Sequence, residues 1–154
     1  MDSIYLVLDG TNATLSDDDS HLNWALDEYL FSNYTTNTQF MIELISSQFI
    51  GNSTLEDVSL NSIEIFTNLN LKNQTNTKSN GGYKLLGTVA MESVIDGTET
   101  VISSIISYIK HPKFLVSKFT NITIYCYHHT NNVKLVYLNK NYCKFILKLT
   151  KIKN

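Results

Sequence analysis

The sequence predicts a mainly β domain with one or two helices, an α+β arrangement being the alternative. Three observations carry this. Short apolar runs rich in strand formers recur from Ile4 to Leu149, separated by turn signals built from Asn, Asp and Gly. Only two segments repeat apolar residues at helical spacing. One proline, a hydrophobic fraction of 43% and a charged fraction of 17% fit a folded globular chain rather than a disordered one. A length of 154 residues fits a single domain, 1–154, able to bury roughly two thirds of its unfolded surface around one core.

Ile4 to Leu8 reads as a buried first strand closed by the turn signal Asp9-Gly10. Ser16-Asp17-Asp18-Asp19 suits a helix cap, because Leu22, Ala25, Leu26, Tyr29 and Leu30 follow at helical spacing and acids favour a helix N-terminus. A helix over Leu22 to Leu30 is therefore expected on local grounds. Thr36 to Ile50 alternates apolar and polar residues and ends at Gly51-Asn52, while Val58, Leu60, Ile63 and Ile65 indicate more strand. Asn68 to Gly82 holds almost no core material and reads as an exposed loop.

Strand resumes from Tyr83 to Met91. After the turn or cap Asp96-Gly97-Thr98, the residues Val101, Ile102, Ile105, Ile106 and Ile109 form a helical stripe that Pro112 ends. Three β-rich runs follow, Ile122 to Tyr127, Val133 to Leu138 and Cys143 to Leu149, with Asn131-Asn132 and Asn139-Lys140-Asn141 between them. These predict an antiparallel meander with its lysines mostly on an outer face.

Charge is sorted along the chain. All twelve basic residues are lysines from Lys72 onward, and eleven of the fourteen acids precede it. Nine lysines and no acid lie between Thr100 and Asn154, a tract that could attract polyanions. The simpler expectation is that it meets the acidic half inside one fold, giving a formal net charge of −2. Arginine is absent, which counts against sequence-specific nucleic-acid recognition. The first residues lack the basic and apolar regions of a signal peptide and no apolar run approaches membrane-spanning length, so a soluble chain without a transmembrane segment is expected.

Known chemical signatures are missing. Cys126, His128, Cys143 and a distant His111 could be imagined around zinc, yet none of the paired spacings of structural zinc sites occurs. Two cysteines allow one disulfide at most and in a reducing compartment remain buried thiols. The sequons at Asn12, Asn33, Asn52, Asn73 and Asn121 carry little weight in a Ser/Thr-rich chain. Phosphate-loop, nucleophile-elbow and zinc-protease patterns are also absent. No enzyme activity, metal or cofactor is expected. Sixteen Tyr and Phe residues with one Trp instead suit stacking on sugars, with amides and hydroxyls bonding sugar hydroxyls. Trp24, Tyr29 and Tyr34 are the candidate ligand-binding residues.

Trp24, then Ser62-Ile63-Glu64-Ile65-Phe66-Thr67, then Ser79-Asn80 leading into Lys84-Leu85-Leu86-Gly87, resemble in order and spacing the receptor-binding head domain of the rotavirus outer-capsid spike protein. Asp96-Gly97-Thr98-Glu99-Thr100, Asn121-Ile122-Thr123, Cys126 and Cys143 extend the resemblance to about three quarters of the chain. It implies an antiparallel galectin-like β-sandwich that recognises a host cell-surface glycan, joined to the rest of a spike protein on the virion outer capsid surface. It also asks for strand where Leu22 to Leu30 reads as helix and has no place for the Val101 to Ile109 stripe. The family's glycan contacts do not carry over, and no arginine is available for a sialic-acid carboxylate. The rival expectation is a cytoplasmic assembly or scaffolding protein whose acidic and basic halves pair between protomers.

Overall fold

The computed structural model describes residues 3–16, 20–53, 62–72, 79–80, 83–96, 99–104, 111–128 and 137–152. The strands are β1 (Ser3–Asp9), β2 (Thr14–Leu15), β3 (His21–Ala25), β4 (Gln39–Gln48), β5 (Ile50–Ser53), β6 (Ser62–Thr67) and β7 (Ser79–Asn80). They continue with β8 (Tyr83–Asp96), β9 (Glu99–Ser104), β10 (Lys113–Ser117), β11 (Asn121–His128), β12 (Tyr137–Leu138) and β13 (Lys144–Lys151). The smaller sheet has the order β1-β13-β4-β10, the larger β12-β5-β9-β8-β6-β11-β3-β2 with β7 beside β8. All pairings are antiparallel. Two antiparallel sheets sharing one core make a β-sandwich, mainly β as the sequence predicts and a sandwich as the resemblance implies.

Period-two patterning builds that core. In β13, Phe145, Leu147 and Leu149 are buried while Lys144 is exposed and Lys148 partly so. Phe40, Ile42 and Leu44 of β4 and Phe114 and Val116 of β10 join them from the smaller sheet. Leu22, Trp24, Ile63, Ile65, Ile122, Ile124 and Cys126 face them from the larger. Phe49, 1% exposed, lies between β4 and β5, where the chain passes from one sheet to the other. Its ring stacks near Phe145, centroids 6.3 Å apart.

Several local expectations are corrected. Leu22 to Leu30 is not a helix: β3 ends at Ala25 and turns follow. Leu22 and Trp24 alternate inward as strand residues, so tertiary burial overrides the helical spacing. Val101 belongs to β9, paired with β5 on one side and β8 on the other, and residues 105–110 of the expected stripe lie outside the described residues. Among the described residues helical geometry is confined to two three-residue 3-10 turns, Gly10–Asn12 and Lys140–Tyr142. Ser16 closes a turn, its Oγ accepting from the backbone N–H groups of Ser20 and His21 at 3.2 and 3.0 Å; Asp17 to Asp19 lie outside the described residues, as do Val58 and Leu60.

The tract after Thr67 is not wholly an exposed loop. Leu69 and Leu71 are buried, and Lys72 forms a backbone bridge to Leu115. Nor do the last three runs make a meander. β11 lies between β6 and β3, β12 pairs with β5, and β13 lies between β1 and β4 in the other sheet. Of the run Val133 to Leu138, only Tyr137 and Leu138 are among the described residues.

Acidic and basic halves do meet inside the fold. Lys113 Nζ is 4.0 Å from Glu43 Oε2, Glu43 is also in register with Lys148, and Asp9 is in register with Lys144. The Asp9 carboxyl is held below the usual carboxylate range, chiefly by the Thr11 N–H and hydroxyl that donate to it at 3.0 and 2.8 Å.

Candidate functional site

Two connections between the sheets converge at one end of the sandwich. Residues 26–38 carry the chain from β3 to β4, and residues 118–120 carry it from β10 to β11. The Leu26 N–H donates to the Thr120 carbonyl at 2.9 Å, extending the β3–β11 ladder and tying the two connections together. The longer one is a series of turns. Leu30 N–H donates to the Asp27 carbonyl at 3.0 Å, Ser32 N–H to Tyr29 at 3.1 Å and Tyr34 N–H to Phe31 at 3.0 Å. Asp27 also accepts the Tyr29 N–H on its side chain at 2.9 Å, the local bond that makes aspartate a turn former.

Between these connections lies an open recess of about 400 Å³, within the range of small-ligand sites. Phe31 and Phe119 form its apolar part, their rings edge to face with centroids 5.4 Å apart. Phe31 is buried and anchored on Phe40, centroids 5.2 Å apart. The exposed Asp27, Glu28, Ser32 and Thr120 form the polar rim. Lys118 completes the lining, its ammonium donating to the Tyr34 carbonyl and so bracing one connection against the other. Rings held by the core beside solvated carboxylates and hydroxyls can cover an apolar sugar face and bond its hydroxyls.

The three residues singled out from the sequence are not brought together. Trp24 is 4% exposed; its Nε1 donates to the Asp9 carbonyl at 2.7 Å and its ring meets Phe145 edge-on. Tyr29, 71% exposed, stands in the turn that carries Asp27, Glu28 and Phe31. Tyr34 is half-buried, edge-on to Phe40 with centroids 5.1 Å apart, and Lys151 Nζ lies 5.8 Å from its ring centre. Asp27, Glu28, Phe31 and Phe119, which line the recess, are not among the candidates the sequence offers. The available signal was a dense mixture of acid and aromatic residues between two strand runs, and a Lys-Phe-Thr connection short enough to be tied down.

A second aromatic group lies on the opposite face of the larger sheet. Tyr125 touches His21, Phe66 and Tyr83, centroids 4.8, 5.2 and 4.4 Å away. Both Tyr125 and Phe66 are buried, so they act as a second packing layer. Burial, with Tyr83 and Tyr127 nearby, pushes the Tyr125 phenol well up. Cys126 and Cys143 are buried thiols not joined in a disulfide. Burial raises both, Cys143 to about 11. His111 is buried against Gly87 and Leu44, and burial lowers its pKa despite the opposing Glu43 charge. Among the described residues no helix is long and apolar enough to cross a membrane.

Comparison with models of known protein families, with curated proteins and with solved structures finds no match.

Proposed function

We propose that this chain is a non-enzymatic glycan-binding domain, and that the recess between residues 26–32 and 118–120 holds the sugar. The observation that carries the reading is the pairing of core-anchored Phe31 and Phe119 with the exposed Asp27, Glu28, Ser32 and Thr120 around one volume of about 400 Å³. One or two pyranose rings fit such a space. Asp27 already accepts the Tyr29 N–H, which suits a fixed hydrogen-bonding wall better than a reacting group.

The resemblance to the rotavirus spike head supports the wider reading of a viral attachment domain, displayed on an outer capsid by the rest of a spike protein and engaging a host cell-surface glycan. The rival assembly reading drew on charge sorting. Glu43 with Lys113 and the Asp9–Lys144 register bring acids and lysines of the two halves together within one chain, which favours the attachment reading.

The test is binding of the purified chain to a broad mammalian glycan panel at physiological salt, beside Glu28→Ala and Ser32→Ala. Selective binding that weakens about tenfold in Glu28→Ala is expected, the scale of one hydrogen bond to a charged group. No binding anywhere on the panel, or binding indifferent to both substitutions, overturns the proposal.

A further inference from the structure

The outward face of the smaller sheet carries a second recess, of about 500 Å³, remote in character from the first. Two cross-strand rows build it. Tyr5, Lys148, Glu43 and Lys113 are in register across β1, β13, β4 and β10, and Ser3, Thr150, Met41 and Leu115 form the row beside them. Residues in register on one face lie close enough to act together. Lys113, Lys148 and Lys151 all line the recess, with the hydroxyls of Ser3 and Thr150, 3.5 Å apart, and an apolar wall from Met41 and Ile152.

These lysines are weakly committed. Lys113 Nζ reaches Glu43 only at 4.0 Å with its side chain 49% exposed. Lys148 and Lys151 lie 5.8 Å from the ring centres of Tyr5 and Tyr34. Tyr5 is itself 59% exposed and is in register with Lys148. Three lysines therefore line one recess, and among the described residues the carboxylate of Glu43 is in register with both Lys113 and Lys148. The site presents local positive charge on a chain whose formal net charge is −2.

We infer that this face binds a sulfated oligosaccharide, independently of the sugar recess at the end of the sandwich. Three lysines lining one recess suit sulfate esters clustered on one or two sugar residues, and Met41 can meet the apolar edge of a pyranose. A nucleic acid fits less well. Its affinity grows with the number of phosphates neutralised along a track, whereas these lysines share one recess, the formal net charge is −2, and arginine is absent.

Titration of the whole chain with a heparin-derived hexasaccharide tests this, beside the desulfated hexasaccharide, single-stranded DNA of equal charge and phosphatidylserine vesicles. The sulfated sugar is expected to bind, and to weaken as salt rises from about 50 to about 200 mM; the desulfated sugar is expected not to. Lys113→Gln and Lys148→Gln should each weaken it about tenfold, while Lys84→Gln on the other sheet leaves it unchanged. Glu43→Gln should tighten it, a gain that unfolding cannot produce. Unaltered affinity in both Lys113→Gln and Lys148→Gln, equal binding of the desulfated sugar, or tighter binding of the DNA or the vesicles would overturn the inference. Glu28→Ala should not affect this ligand, so failure here and failure of the sugar recess are separately visible.

Discussion

Replacing Trp24 by phenylalanine separates a core role from a ligand role for the single tryptophan of the chain. The indole Nε1 donates to the Asp9 carbonyl at 2.7 Å, and the ring sits against Phe145 with 4% of the residue exposed. Phenylalanine keeps an aromatic ring but strands that acceptor, which costs about 1–3 kcal/mol, and leaves part of the indole volume empty. A loss of about 2–3 kcal/mol follows. For a domain of this size, each kcal/mol lowers Tm by about 2–4 °C, so Trp24→Phe should melt roughly 4–12 °C lower. Trp24→Ala should lose about 3–5 kcal/mol, a large share of a total stability of about 5–15 kcal/mol. Thermal and urea unfolding followed by circular dichroism measure both variants. Well below its Tm, Trp24→Phe should bind glycan as the native chain does. An unchanged Tm together with lost glycan binding would refute the reasoning and place the indole against the ligand.

Other expectations follow from close packing and burial. A Cβ on Gly10 would stand 2.0 Å from the Lys140 carbonyl oxygen and 2.9 Å from that of Cys143, and these backbone atoms cannot yield without losing the Gly10 N–H bond to Cys143 O at 2.7 Å. Gly10→Ala should therefore cost about 3 kcal/mol, read from urea midpoints; a change below about 0.5 kcal/mol would contradict the packing. Because burial depresses His111 below its ordinary 6.5, the unfolded chain takes up that proton first. This contribution to stability is constant above the ordinary value and is lost as pH falls through it. Between pH 7 and 5, His111→Leu should flatten the dependence of urea midpoints on pH, and an equally steep dependence would contradict the assignment. Buried thiols whose pKa values burial raises, to about 11 for Cys143 and also upward for Cys126, should react slowly with a disulfide reagent at pH 8 until denaturant is added. Rapid labelling of the native chain would contradict their burial.

Much of the architecture was legible because strand patterning is local. Leu8, Phe40, Ile42, Leu44, Phe145, Leu147 and Leu149 alternate inward as period two requires. Ile122 to Tyr127 read as a strand, and burial on both faces follows from Tyr125 packing against Phe66 while Ile124 faces the core. Leu22 to Leu30 misled because Leu22, Ala25, Leu26, Tyr29 and Leu30 fall at helical spacing, and local spacing does not reveal the partner that draws Leu22 and Trp24 inward as strand residues. β11 supplies that partner, pairing Trp24 with Ile122 and Leu22 with Ile124.

The meander misled for a related reason. Asn-rich turns indicate a reversal but not the sheet the next strand joins, and β13 fills the gap between β1 and β4 because its alternating Phe and Leu complete that face. Aromatic residues suggested a ring-lined site, but sequence does not distinguish a ring used in packing from one at a rim. Trp24 went inward, Tyr29 outward, and the recess fell to Phe31 and Phe119.

Amide chemical-shift mapping of the isotopically labelled chain, titrated with the glycan it binds most tightly among neutral sugars, tests the central claim most directly. Shifts should concentrate at Leu26 to Ser32 and Lys118 to Thr120, with Glu28 and Thr120 prominent and β13 unaffected. Shifts centred on another face, or none at saturating sugar, would contradict the assignment of this recess as the glycan site.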